Sequence, residues 1–484
     1  MATSPLRPLR YTRRVRARIG LILGPALFAL ILLAPSPEGL PELAWRTTAV
    51  AALMAVWWIS EPLPLAATAL LPLVLFPLLD ILPMPRTASP YANPVIFLFL
   101  GGFLIAAGVE RSGLHRRIAL RIVRAVGSSP RQILLGFMLA TASLSAGVSN
   151  TATVALMLPM ALSVIAASRG GSEAERAGFG TALMLGIAYS ASIGGLATLI
   201  GTPPNALLAG WASETLGRTI GFGRWMILGV PLAAVSLPLC WLLLVRLHPM
   251  PAREGGDTRV ELEEQARALG RMSAAEKMVA VVIALTALAW ITRPLLASAV
   301  PGLSDAGIAI FAAIILFTIP LKSAEGGTFL LGSRDLDRVP WPVLILFGGG
   351  LALAEAIDSS GLAAWIGGGI GGLSGLPPWI AMLAVATIII FLTELTSNTA
   401  TAATFIPIIG AAATGIGIDP LMLCIPAALA ASCAFMLPVA TPPNAIVFGS
   451  GLLPLGAMIR AGYRLNFLMI AIVVVATQLL ARFV

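Results

Sequence analysis

Charge is scarce in this chain. Of 484 residues only 11% are Asp, Glu, Lys or Arg, against 58% apolar, and the mean hydropathy is +0.93. A water-soluble fold of this length could not hide so much apolar sequence in one core, so the chain reads as a polytopic membrane protein. Histidine is rarer still, with two, and cysteine numbers three. Cys240, Cys424 and Cys433 stand in apolar runs without CxxC or metal-ligand spacing and read as packing residues. His115 and His248 fall in expected interfacial loops, where a lone histidine is usually solvated. No HExxH pair occurs and Ser149 has no nearby His or Lys to act as a base, which argues against an intramembrane enzyme. The net charge of +9 would suggest nucleic acid in a soluble protein, but it collects in a few loops, where membrane orientation explains it better.

The first 18 residues carry six arginines and no acid, and an apolar run from Ile19 to Ala34 follows. No small-residue cleavage site closes that run, so it reads as the first membrane helix, with a cytoplasmic amino terminus, rather than as a signal peptide. Further apolar runs lie near 45–60, 62–82 and 93–109. From Glu110 to Gln132, Arg111, Arg116, Arg117, Arg121, Arg124 and Arg131 alternate with Leu114, Ile118, Leu120, Ile122 and Val123. That pattern suits a helix along the cytoplasmic interface; a solvated basic loop is the alternative.

The segment 133–167 is apolar but interrupted at its centre by Ser149-Asn150-Thr151. Two half-spans flank the break, which predicts a re-entrant helical hairpin rather than a crossing. Arg131, Arg169 and Arg176 flank it and put both its ends on the cytoplasmic side. Spans are expected near 178–200 and 223–247. A cytoplasmic linker from His248 to Lys277 follows, helical over Val260 to Arg271, and then spans near 278–297, 305–321 and 340–357. Lys322, Arg334 and Arg338 mark the last basic loop. From Val339 to Met458 there is no Lys or Arg, so the second polar interruption, Ser397-Asn398-Thr399, has flanks that face outward, and its hairpin enters from the opposite side. The last span, about 463–481, then ends outside. The expected fold is all-α, with about eleven transmembrane helices and two re-entrant hairpins in the plasma membrane.

The chain repeats itself. Pro94-Val95-Ile96-Phe97-Leu98-Phe99-Leu100-Gly101-Gly102 resembles Pro342-Val343-Leu344-Ile345-Leu346-Phe347-Gly348-Gly349-Gly350, and Glu110-Arg111-Ser112-Gly113-Leu114 resembles Asp358-Ser359-Ser360-Gly361-Leu362. Pro342 follows Pro94 by the same 248 positions that separate Ser397 from Ser149. Five expected spans lie between equivalent points, and an odd number reverses direction. Two inverted-topology repeats follow, an arrangement that places a site at mid-membrane. The expected parts are a basic terminus (1–18), scaffold helices and arm of repeat 1 (19–132), its transport elements (133–247), the linker (248–277), scaffold helices and arm of repeat 2 (278–378), and its transport elements (379–484).

A hairpin tip at membrane depth leaves backbone groups unpaired, at several kcal/mol each, unless protein, water or a ligand satisfies them. Carbonyls freed at a broken helix, with the oxygens of Ser145, Ser149 and Asn150, make a neutral oxygen cage suited to a small cation. The half-helix N-termini, with Asn150 and Thr151, offer donors to an anion. Each interruption is followed by a double-proline turn, Gly201-Thr202-Pro203-Pro204-Asn205 and Ala440-Thr441-Pro442-Pro443-Asn444, which breaks a companion helix. The expected cation sets are Ser145, Ser149, Asn150 and Gly201, and Thr393, Thr396, Ser397, Asn398 and Ala440, with an anion bridging the two tips. Neither hairpin core holds a Lys or Arg, so the anion has no fixed countercharge there. Moving a dianion into a negative-inside cell costs about 4.6 kcal/mol per 100 mV; two monovalent cations cancel that and a third drives uptake.

The paired Ser-Asn-Thr hairpins, each followed by a Thr-Pro-Pro-Asn turn, resemble those of the divalent anion/sodium symporters, over about 20–484. The resemblance implies sodium-coupled uptake of a dicarboxylate such as succinate, a homodimer and an elevator motion of hairpins and broken helices against a scaffold. It places carboxylate contacts on Asn150, Thr151, Asn398, Thr399, Thr441 and Pro442, and Na+ ligands on the two cation sets; Ser149, Ser397 and Thr202 are further expected substrate contacts. The coupling ion aside, no cofactor is expected. A proton-coupled symporter or an anion exchanger of dicarboxylate, citrate or sulfate on the same scaffold is the alternative.

An isolated Ser, Thr or Asn in a membrane helix is most often interhelical glue; the shared register weakens that reading for the set. Glu394, opposite Ala146 in the repeat, is a candidate proton relay or support for the second cation site, and equally a structural residue of its hairpin. The glycines of 348–350 and 367–369 read as close helix packing or hinges.

Overall fold

The computed structural model describes residues 7–168, 170–251, 257–296, 299–320, 329–370, 375 and 377–484. Arg169 and Lys322, expected to mark basic loops, lie outside them. Among the described residues nine helices are long and apolar enough to cross a membrane: Val15–Leu33, Glu42–Ser60, Met84–Ser112, Asn150–Ala167, Glu173–Gly195, Phe222–Leu247, Ala274–Leu296, Trp341–Ser359 and Leu455–Phe483. The fold is all-helical. The expected span near 62–82 is two short helices, Leu65–Thr68 and Leu71–Leu78, because Pro72, in the first turn of the second, withholds the backbone N–H that one continuous helix would need there.

By internal packing the chain forms two units. The first comprises Met1–Ile96, Leu207–Thr219 and Pro340–Ala431. Its first two spans touch closely: a Cβ on Gly20 would lie 1.9 Å from Ser60 Oγ, and the Trp57 indole donates to the Gly20 carbonyl at 3.1 Å. Gly348 and Gly349 pack against Tyr91 and the Ala69 backbone, and Gly367 against Gly415, whereas Gly368 and Gly369 have nothing within 4 Å.

The second unit comprises Phe97–Ala206, Ile220–Val339 and Ser432–Val484. Its centre is Glu173–Gly195, buried at every residue from Gly178 to Gly195. Its small residues are what allow this: a Cβ on Gly194 would lie 2.3 Å from the Ala142 carbonyl, so only glycine lets the first hairpin approach here.

The basic segment 110–132 holds an amphipathic helix, Leu114–Val126, with Leu114, Ala119, Leu120 and Val123 buried. Arg117 departs from the expected polar face. It is buried, with Nε 2.8 Å from Glu276 Oε1 and Nη1 2.9 Å from the Gly270 carbonyl. It thereby ties this helix to the end of the linker helix Asp257–Ala268.

The repeat is visible in local structure. Gly113 and Gly361 are both left-handed, at φ +80° and +83°, and the hydroxyls of Ser112 and Ser360 each accept from the backbone N–H two residues on, at 3.4 Å. Both corners start a helix, Leu114–Val126 and Leu362–Ile370.

Candidate functional site

Both polar interruptions are helix breaks of one design. In the second unit Pro130–Ser145 and Asn150–Ala167 flank the first, with 16 and 18 residues; in the first unit Pro378–Thr393 and Asn398–Gly415 flank the other, with the same 16 and 18. Ser149 and Ser397 are the N-caps of the returning helices, and the Ser149 hydroxyl accepts from the Ala152 N–H at 3.3 Å. Beside them Asn150, Asn398 and Thr399 are half-buried and Thr151 is exposed, so side-chain donors at both tips are accessible.

Within each hairpin one hydroxyl spans the break. Ser145 Oγ lies 2.5 Å from Asn150 Oδ1 and 2.8 Å from the Ala191 carbonyl. Thr393 Oγ1 lies 2.8 Å from both Asn398 Oδ1 and the Ala431 carbonyl. The amide atom of Asn150 that faces Ser145 is also 3.3 Å from the carbonyl oxygens of Ala191 and Gly201. Ser145, Asn150 and Gly201 are thus brought together, with the Ala191 carbonyl as a member the sequence did not reveal. With the amide oxygen turned inward, the donor set is four neutral oxygens, the ligand chemistry that a small hard cation takes.

The companion helices break as expected, between Glu173–Gly195 and Pro203–Leu216 and between Pro420–Ala431 and Pro442–Phe448. A residue not assigned from the sequence holds each break. Asn205 Nδ2 donates to the carbonyls of Gly195 at 3.2 Å and Thr198 at 2.8 Å; Asn444 Nδ2 donates to those of Ala434 at 3.1 Å and Leu437 at 3.0 Å. The helical ladder stops at these carbonyls; those of Thr198 and Leu437 also accept from the turn N–H groups of Gly201 and Ala440, at 3.4 and 3.2 Å, and the asparagines supply the further donors. The available signal was the fourth letter of the repeated Thr-Pro-Pro-Asn phrase. Thr198 adds a link to the first hairpin through the Ala146 carbonyl, at 2.5 Å.

Residues 16–484 match the family described as "Sodium:sulfate symporter transmembrane region". The chain belongs to that family. Sodium:sulfate symporter family members are membrane transporters, not enzymes. Among curated relatives, a sodium-dependent dicarboxylate transporter, SdcS, of Staphylococcus saprophyticus is 42% identical over 473 residues, covering 96% of this chain and 91% of its own. SdcS of Staphylococcus aureus is 44% identical over 467 residues, covering 94% and 89%. Among solved structures, the Alcanivorax borkumensis YdaH transporter has a similar fold, with a TM-score of 0.57 at 17% identity, over 90% of this chain and 98% of that one.

The remaining expected residues of this family member fall as follows. Thr202 is buried in the second unit with its hydroxyl 3.1 Å from that of Ser432, and the Thr441 hydroxyl accepts from the Asn444 N–H at 3.2 Å, while Pro442 is exposed. Thr396 pairs with Thr401 at 2.7 Å and caps the Leu392 carbonyl at 2.9 Å, so its oxygen is used within the hairpin. The second cation set is divided between the units: Thr393, Thr396, Ser397 and Asn398 belong to the first, Ala440 to the second.

The second hairpin also receives a contact from a distant residue. The hairpin sequences hold no Lys or Arg, but a positive charge reaches the second tip from far away in the chain: Arg16 Nη1 donates to the Leu395 carbonyl at 2.5 Å. A contact across 379 positions leaves no trace in the local sequence. Glu394, next to that carbonyl, is buried.

Proposed function

We propose that the protein is a sodium-coupled symporter of a C4-dicarboxylate such as succinate, working in the plasma membrane as a homodimer with an elevator motion between two inverted repeats. The amino terminus is assigned to the cytoplasm and the carboxyl terminus to the outside. The observation that carries the coupling is the oxygen cluster of Ser145, Asn150, Ala191 and Gly201, a neutral donor set that fits a cation and would hold Na+. The curated relatives bear the name sodium-dependent dicarboxylate transporter, which supports both the ion and the substrate class.

We assign the anion to the donors of Ser149, Asn150 and Thr151 and of Ser397, Asn398 and Thr399, with Thr202, Thr441 and Pro442. Sodium is assigned to the two cation sets; its binding offsets the roughly 4.6 kcal/mol per 100 mV that a dianion entering alone would pay. The test is uptake of labelled succinate into proteoliposomes under an inward sodium gradient, with potassium as control and Asn150→Ala and Asn398→Ala beside the parent. Sodium-dependent accumulation lost in both variants is expected. Sodium-independent exchange would remove the coupling assignment, and absence of succinate movement the substrate.

A further inference from the structure

We propose that a cavity beside the first hairpin is a second binding site, for a zwitterionic headgroup in which a primary ammonium and a phosphate are joined by a short link, as in phosphoethanolamine. The cavity, of about 300 Å³, lies between the end of the helix Pro94–Ser112, the start of Leu114–Val126 and the first hairpin. Its polar lining is Glu110, His115, Arg116 and Thr153, and Leu144 and Leu156 are among its apolar walls. None of the four polar residues belongs to the cation or anion sets assigned above.

The observation that points to a ligand is the Thr153 hydroxyl. Thr153 is 2% exposed, and its Oγ1 is buried with no hydrogen-bond partner. The second repeat, 248 positions on, supplies the comparison. There Thr401 holds the same place, and its hydroxyl pairs with that of Thr396 at 2.7 Å. The counterpart of Thr396 is Val148, which has no hydroxyl, and the counterparts of His115 and Arg116 are Ala363 and Ala364. The first repeat thus lacks an internal pair and adds a ring and a charge at the same place. A buried hydroxyl left unpaired is costly, and a ligand oxygen within its reach removes that cost.

The lining selects for both charges in one molecule. A dianion would meet the Glu110 carboxylate, and a simple cation the Arg116 guanidinium. His115 Nδ1 is 3.0 Å from the Val109 carbonyl and donates to it, and burial pushes the ring below its ordinary pKa, so the ring is neutral and its Nε2 is an acceptor. Glu110 and His115 therefore receive an ammonium, while Arg116 and the Thr153 hydroxyl hold acid oxygens. Phosphate rather than carboxylate follows from the place: an amphipathic basic helix such as Leu114–Val126 lies at the depth of lipid headgroups, and the apolar walls accept the start of an acyl chain.

The test is isothermal titration of the full chain in detergent with dihexanoyl phosphatidylethanolamine, phosphatidylglycerol and phosphatidylcholine, and with glycerophosphoethanolamine. The ethanolamine lipid is expected to bind, and the other two about tenfold more weakly, because glycerol carries no ammonium and that of choline has no hydrogen to donate. Glycerophosphoethanolamine binding as tightly as the lipid would make the source a soluble headgroup, and binding only with chains would make it the membrane; both uphold the site. Thr153→Val, and Val148→Thr, which restores the pair found at Thr396 and Thr401, are each expected to weaken binding about tenfold while the melting midpoint of the free protein stays level or rises. Equal binding of the three lipids, undiminished binding in both variants, or no binding of any of the four compounds would overturn it.

Discussion

Asn205 donates its side-chain amide to the Thr198 carbonyl at 2.8 Å, seven residues back across the helix break, and so closes the gap that its own Pro-Pro pair opens. Asn444 does the same at Leu437 in the other repeat, at 3.0 Å. Asn205→Leu removes a donor from two carbonyls; that of Thr198 keeps the Gly201 N–H at 3.4 Å, while that of Gly195 is left unpaired, at a cost of about 1–3 kcal/mol. Its thermal unfolding midpoint in detergent is expected to fall, with Asn444→Leu behaving alike. An unaltered midpoint would show that something else holds the break.

The hydroxyls of Ser145 and Thr393 each complete an oxygen cluster. Ser145→Ala should raise the sodium concentration for half-maximal uptake by about tenfold, the size expected of one lost polar contact of about 1.4 kcal/mol. Ser145→Thr retains the hydroxyl and should retain most of the affinity. If alanine and threonine variants respond equally to sodium, the hydroxyl is not a ligand.

Arg117 and Glu276 form a buried ion pair, with the arginine also donating to the Leu269, Gly270 and Arg271 carbonyls. Removing one partner strands the other charge, so Glu276→Leu should destabilise by about 3–5 kcal/mol, and the double variant with Arg117→Met should recover part of that loss. Denaturation of the three variants beside the parent measures it; a double variant as weak as the sum of the singles would mean the pair is not coupled.

Glycines divide by what surrounds them. Gly194→Ala puts a methyl 2.3 Å from the Ala142 carbonyl and should lower the folded yield, whereas Gly368→Ala meets nothing within 4 Å and, within the helix Leu362–Ile370, should stabilise by about 0.5–1 kcal/mol. Size-exclusion profiles and melting of both variants test the contrast.

Much of the site was legible because hairpin breaks are local events. A Ser-Asn-Thr phrase between two apolar half-spans, and a Pro-Pro pair inside a third, dictate where backbone hydrogen bonding must stop, and the structure breaks its helices there. The repeat was legible for the same reason: Gly113 and Gly361 each need a left-handed corner that their sequence neighbours already announce.

What escaped the sequence depends on distance in the chain. Arg117 looked like one more interfacial arginine because nothing near it names Glu276, 159 positions away. Arg16 on the Leu395 carbonyl and the Ala191 carbonyl beside Ser145 are of the same kind. Sequence by itself determined the class of the protein, the helix breaks and their repetition, since these follow from hydropathy and from which residues can donate a backbone hydrogen. Only the tertiary structure decided which carbonyls face which side chains, because a carbonyl is carried by every residue alike and acquires a role only when packing brings it within about 3 Å of a partner.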